Sequence, residues 1–187
     1  MSYRFDSRDR DTFTKDIKFT TGIEKFIFHK WSETQYDVVD WSNNGCDNDG
    51  EYIEEGVNTA GADYKISTSE FKDQPLEVKW VPVHSKMTLK KFDLKAYIKE
   101  DANILFIYPK EYLGDLRKPK NNYDLDKHIE LIESKLKRCK WGIMSSAKVK
   151  DLYSHAEKLG WTKFFGKDAY IIKQKDFDKW FVSEEWK

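Results

Sequence analysis

The stretches 62–66 (Ala-Asp-Tyr-Lys-Ile) and 76–80 (Leu-Glu-Val-Lys-Trp) constrain this chain most, because each alternates apolar and charged residues with the two-residue period of a half-buried strand. The alternation predicts Ala62, Tyr64 and Ile66 on one face of the first strand, with Asp63 and Lys65 on the other. In the second, Leu76, Val78 and Trp80 point to a core, and Glu77 and Lys79 lie opposite, roughly 6.5–7 Å apart along the strand. If the two strands are neighbours, Asp63, Glu77 and Lys79 converge. Two carboxylates that can hold a hard divalent cation, with an ammonium beside them, suit metal-assisted attack of water on a phosphodiester.

The pattern acidic-x-Lys occurs seven times in a chain that is 35% charged, so the tripeptide alone carries little. Only Glu77-Val78-Lys79 has a large apolar residue before, between and after its charges. Context therefore selects it.

Upstream, Phe13, Ile17, Ile23, Phe26, Ile27 and Trp31 recur at helical spacing, which predicts one helix from Asp11 or Thr12 to about Trp31, interrupted at Gly22. Glu24 lies on the flank of its apolar face, and His29 roughly 140° around the helix from Glu24. Residues 36–41 read as a first strand. The loop that follows, 42–61, is rich in Asn, Asp, Glu and Gly. Its Asp47-Asn48-Asp49-Gly50 run fails as a calcium loop, because Gly45 and Gly56 fall at the first and twelfth ligand positions.

Downstream, residues 90–100 have helical composition and the apolar run 104–108 reads as a buried strand stopped by Pro109. Strand, crossover helix and strand imply at least one parallel pair. A basic connection with Arg117, Lys118 and Lys120 leads to a helix capped by Asp124 or Asp126 and running to about Cys139, with Leu125, Ile129, Ile132 and Leu136 as its stripe. A helix at 146–159 closed by Gly160, a hairpin over 161–172 turning at Gly166-Lys167, and a short helix over 176–182 complete the expectation.

The 187 residues fit one elaborated domain. Charge balances at 33 basic and 33 acidic residues but is unevenly placed: residues 1–62 hold 7 basic and 13 acidic, whereas 79–150 hold 17 and 9. An acidic pole followed by a basic surface suits a nucleic-acid backbone, as it also suits solvated helix faces. The phosphate-contact candidates are Lys65, Lys90, Lys91, Arg117, Lys118 and Lys120. Cys46 and Cys139 show neither disulfide-framework nor zinc spacing, and no apolar run reaches a membrane span, so an intracellular, cytoplasmic protein with no membrane role is expected.

The order helix, strand, strand, strand, helix, strand, with Asp63 and then Glu77-Val78-Lys79 after thirteen intervening residues, resembles the PD-(D/E)XK nuclease superfamily over residues 12–108. Ala62 stands where the motif has Pro. The resemblance implies an α/β fold, a mixed central sheet flanked by helices, with a nuclease-like core at 1–120 and an α+β elaboration at 121–187 that packs on it and contributes to substrate choice or dimerisation. It implies Mg²⁺ or Mn²⁺ held by Asp63, Glu77, the Val78 carbonyl and Glu24, with Lys79 orienting or deprotonating the attacking water. DNA is the expected substrate, with RNA the alternative, and a homodimer would deliver double-strand cleavage. Viral cap-snatching endonucleases of this fold suggest His29 as a further metal ligand. Two other readings compete: a nuclease-fold binding module without chemistry, and a charged α/β protein whose Glu77–Lys79 is a surface pair contributing about 0–1 kcal/mol.

Overall fold

The computed structural model describes residues 10–35, 40–43, 62–67, 72–114, 116–117 and 124–187. These residues form a mixed α/β structure: a six-stranded sheet in the order β1-β2-β3-β5-β6-β9, a three-stranded sheet in the order β4-β8-β7, and four α-helices.

Helix α1 (Arg10–Thr34) runs through Gly22 without interruption. A Cβ at Gly22 would stand 2.7 Å from Leu125 Cδ2, so the glycine marks the close approach of α3 (Leu125–Glu133) rather than a break. Phe19, Ile23, Ile27 and Trp31, spaced four apart, are all buried and make one continuous stripe. That stripe covers Tyr64 and Ile66 of β2 (Tyr64–Ser67), Leu76 and Val78 of β3 (Gln74–Trp80), and Leu105 and Ile107 of β5 (Asn103–Pro109). Phe28 stacks on Tyr64 at 3.8 Å between ring centroids. Each large side chain so enclosed contributes about 1.5–3 kcal/mol.

β1 (Asp40–Asn43) pairs antiparallel with β2, and β2 antiparallel with β3. β3 and β5 run parallel, joined through β4 (Lys86–Lys90) and α2 (Lys91–Glu100). All seven residues of β5 are buried, because its second face is also covered: Ile104, Phe106 and Tyr108 pack with Leu94 and Tyr97 of α2 and Val149 and Leu152 of α4 (Ser146–Leu159). The unbroken apolar run is the sequence mark of that double burial. Asn103 ties the elements together, donating to Gln74 Oε1 at 2.8 Å and accepting from the Ser146 N–H at 3.0 Å.

The structure corrects several sequence expectations. Of the expected first strand, 36–41, the structure describes Asp40 and Trp41, both in β1, which continues to Asn43 and so takes in the first two residues of the expected loop; 36–39 and 44–61 lie outside the described residues. Helix α3 stops at Glu133, and after a 3₁₀ turn at Leu136–Arg138 the chain enters β6 (Cys139–Met144), antiparallel to β5. Helix α4 matches its expected bounds, with Gly160 as its C-cap. The hairpin of β7 (Thr162–Phe164) and β8 (Lys167–Lys173) turns on Phe165-Gly166, both at positive φ, one position earlier than expected. Instead of a final helix there is a 3₁₀ segment, Gln174–Lys179, and a short strand β9 (Glu184–Glu185) on β6. β4, which pairs with β8, was not anticipated. The C-terminal third thus supplies strands to both sheets.

Candidate active site

The register of β2 on β3, Tyr64 opposite Leu76, carries Asp63 to the position facing Glu77. Asp63 sits at a bend just before β2, and its Oδ2 accepts from the Val78 N–H at 2.9 Å, so a side chain continues the ladder where the strand has ended. Because N–H and C=O of one strand residue point to the same side, the Val78 carbonyl also faces the Asp63 side of β3. The bend breaks the expected alternation: Ala62 joins the core under α2, whereas Tyr64 and Ile66 join the core under α1. Glu100, at the end of α2, fixes the approach by accepting from the Ala62 N–H at 2.8 Å.

Glu77 and Lys79 project from the face of β3 opposite Leu76 and Val78, as the alternation required, but that face is not solvent. Helix α2 covers it, and Glu77 is only 4% exposed. Glu77 is thus enclosed while 30% of the Lys79 side chain stays exposed, so the two form a partly buried pair rather than a surface one. Lys79 Nζ donates to Glu77 Oε1, and Tyr97 Oη donates to the same oxygen at 2.7 Å. Lys79 Nζ also lies 5.8 Å from the centre of the Tyr97 ring. Glu77 Oε2 is buried and has no hydrogen-bond partner among the described residues.

Burial pushes the Glu77 carboxyl up to about 7; the Lys79 charge opposes this and the Asp63 charge adds to it. For Lys79, burial works against the ammonium, but Glu77, Tyr97, Glu24 and Asp63 together outweigh it and keep the amine protonated well above its ordinary range. Burial likewise holds the Tyr97 phenol in its protonated form. The site thus presents one half-committed buried carboxylate, one aspartate, a strand carbonyl and a retained positive charge.

The fit of a dication rests on Glu77 Oε2. An ionised carboxylate oxygen buried without a donor is costly, and a cation bound there would supply what is missing. Among the described residues, no three Asp, Glu, His or Cys side chains form a group able to hold a metal ion. Glu24, expected as a third carboxylate, is therefore not grouped with Asp63 and Glu77; its charge acts on Lys79. His29 packs its ring against Trp41 at 4.9 Å and Phe28 at 6.0 Å.

Of the expected phosphate contacts, Lys65 and Arg117 are exposed, while Lys118 and Lys120 lie outside the described residues. Lys90 immediately precedes α2. Lys91 is engaged within the protein, paired with Glu157 at 2.6 Å and 4.8 Å from the Trp161 ring, so an expected substrate contact serves to join α2 to α4. Tyr97 escaped the sequence reading, since nothing local marks one helical tyrosine as the partner of a strand carboxylate.

Comparison with protein-family models, with curated proteins and with solved structures returned no match. The class defined by the fold is mixed α/β, a mixed sheet with helices on both faces. None of the helices among the described residues is long and apolar enough to cross a membrane.

Proposed function

We propose that this protein is a Mg²⁺- or Mn²⁺-dependent endonuclease that hydrolyses DNA phosphodiester bonds, built on a restriction-endonuclease-like core. The observation that carries the reading is the convergence of Asp63 and Glu77 from adjacent strands, with Lys79 on one Glu77 oxygen and the other oxygen buried without a donor. The strand order β1-β2-β3-β5, antiparallel until the parallel β3–β5 pair with α2 in the connection, supports it as the arrangement the resemblance implies.

Asp63, Glu77 Oε2 and the Val78 carbonyl would hold the cation, all oxygen donors as Mg²⁺ and Mn²⁺ prefer. A dication bound there supplies charge neutralisation at the scissile phosphate and acidifies water. The protein's own groups do the rest. Lys79, kept protonated by its acidic neighbours against the cost of burial, would offer a positive charge to a phosphate oxygen, a stabilisation that strengthens as the site excludes water. Lys65, Lys90 and Arg117 are candidates for positioning the DNA backbone, which fixes register without reading sequence. The net positive charge of residues 79–150 favours such a polyanion.

Nicking of supercoiled plasmid in Mg²⁺ or Mn²⁺ tests this. The wild type should nick, and Glu77→Ala and Lys79→Ala should each lose at least about 100-fold, in line with removal of a preorganised charged group. Equal nicking by all three would contradict the reading. A second reading, a DNA-binding module of the same fold without chemistry, is favoured by the engagement of Glu77 Oε1 with Lys79, and among the described residues no third carboxylate joins the group. Tight DNA binding by a wild type that cuts nothing would select it.

A further inference from the structure

We infer that Tyr97 is a positioning residue that makes Glu77 a one-oxygen ligand, and that the site in consequence takes a small octahedral cation in preference to Ca²⁺. The inference rests on the metal site of the proposed function and adds a residue and a selectivity to it.

The argument starts from the two oxygens of one carboxylate. Oε1 receives the Lys79 ammonium and the Tyr97 hydroxyl, the latter at 2.7 Å. Those two donors come from different elements, β3 and α2, so they fix both the position and the rotation of the carboxylate plane. Oε2 remains, enclosed and without a donor among the described residues. Tyr97 is itself 3% exposed and packed in the core beneath α2, so its hydroxyl cannot swing away. Outer partners of this kind set the orientation of metal ligands, and their loss commonly weakens metal binding by about 10–100-fold.

A carboxylate with one oxygen already doubly engaged coordinates through the other alone. Mg²⁺, with short bonds and strict octahedral geometry, accepts one-oxygen carboxylates and keeps its waters, and Mn²⁺ suits the same oxygen set. Ca²⁺ takes 6–8 oxygens at longer range and often uses both oxygens of a carboxylate. Holding Oε1 out of reach therefore withholds a ligand from Ca²⁺ that Mg²⁺ and Mn²⁺ do not need.

The test is calorimetric titration of the metal-free full-length protein with Mn²⁺ and, separately, with Ca²⁺. Tyr97→Phe keeps the ring and removes one hydroxyl, and Tyr108→Phe makes the same change where the hydroxyl meets Ser183 at 2.6 Å instead of a carboxylate. Tyr97→Phe should weaken Mn²⁺ binding by about tenfold and narrow the Mn²⁺ preference over Ca²⁺, while Tyr108→Phe leaves both unchanged. Wild-type affinity and an unaltered Mn²⁺/Ca²⁺ ratio in Tyr97→Phe would overturn the inference while leaving the metal site standing. A wild type that binds neither ion would overturn the site itself. A Mn²⁺-soaked crystal of the unmodified protein gives a readout independent of the variants: Oε2 alone on the metal with Tyr97 still on Oε1 is expected, and coordination through Oε1 or through both oxygens would refute it.

Discussion

At Glu77, burial and charge pull in opposite directions, and their balance makes a pH prediction. Its carboxyl rises from an ordinary 4.5 to about 7 in the folded protein. Between those values the folded state holds a proton that the unfolded chain has released, so folding stability from this group is complete below about pH 4.5 and is lost as pH rises through about 7. At roughly 1.4 kcal/mol per pKa unit, the loss is about 3 kcal/mol. Denaturant melts of the metal-free protein at about pH 5 and about pH 8 should show that decline, and Glu77→Gln, which has no carboxyl to ionise, should flatten it. An identical decline in the variant would place the effect elsewhere. The common face of Glu77 and Lys79 was legible because alternation along β3 sets them opposite Leu76 and Val78, whereas Asp63 lies at a bend where the alternation of its own stretch stops. The burial of that face was not, since it depends on α2 folding back across the sheet, and for the same reason Tyr97 could not be found.

Among the elements, β6 shows where periodicity misleads. Leu136 continues the stripe of Leu125, Ile129 and Ile132, so a helix reaching Cys139 is the natural reading. The backbone instead leaves the helix at Ser134, whose hydroxyl bonds to the Leu131 carbonyl, and the alternation of Cys139, Trp141 and Ile143 then takes over. β4 was missed because Met87-Thr88-Leu89 is brief and its partner, β8, is more than 75 residues away along the chain. Where β6 receives the C-terminal segment, Gly142 is required by space: a Cβ there would lie 2.4 Å from Phe181 Cδ2 and 2.6 Å from the Val182 carbonyl oxygen. Gly142→Ala should therefore cost about 1–3 kcal/mol through overpacking against a backbone that cannot easily retreat. A shift of the urea midpoint to lower concentration measures this, and an unchanged midpoint would show that Phe181 and Val182 move aside freely.

Across the whole molecule, the main sheet separates two cores, and the candidate site belongs to the side covered by α2. The segment after residue 121 is woven into the same structure: β6 lies on β5, β8 on β4, and the N–H of Lys187 donates to Gln35 Oε1 at 2.9 Å. Lys110 and Lys140 both pair with Glu185, tying the last strand to the middle of the chain. Asp63 and Glu77 are thus held by elements that depend on the chain from α1 to β9, and occupation of their site should be felt as global stability. The most direct measurement is unfolding of the full-length protein in increasing Mn²⁺, beside Asp63→Asn. At about 100 times its dissociation constant, the ion should add roughly 2.7 kcal/mol to the wild type and nothing comparable to the variant. Equal stabilisation of the two, or none in the wild type, would contradict a cation held between Asp63 and Glu77.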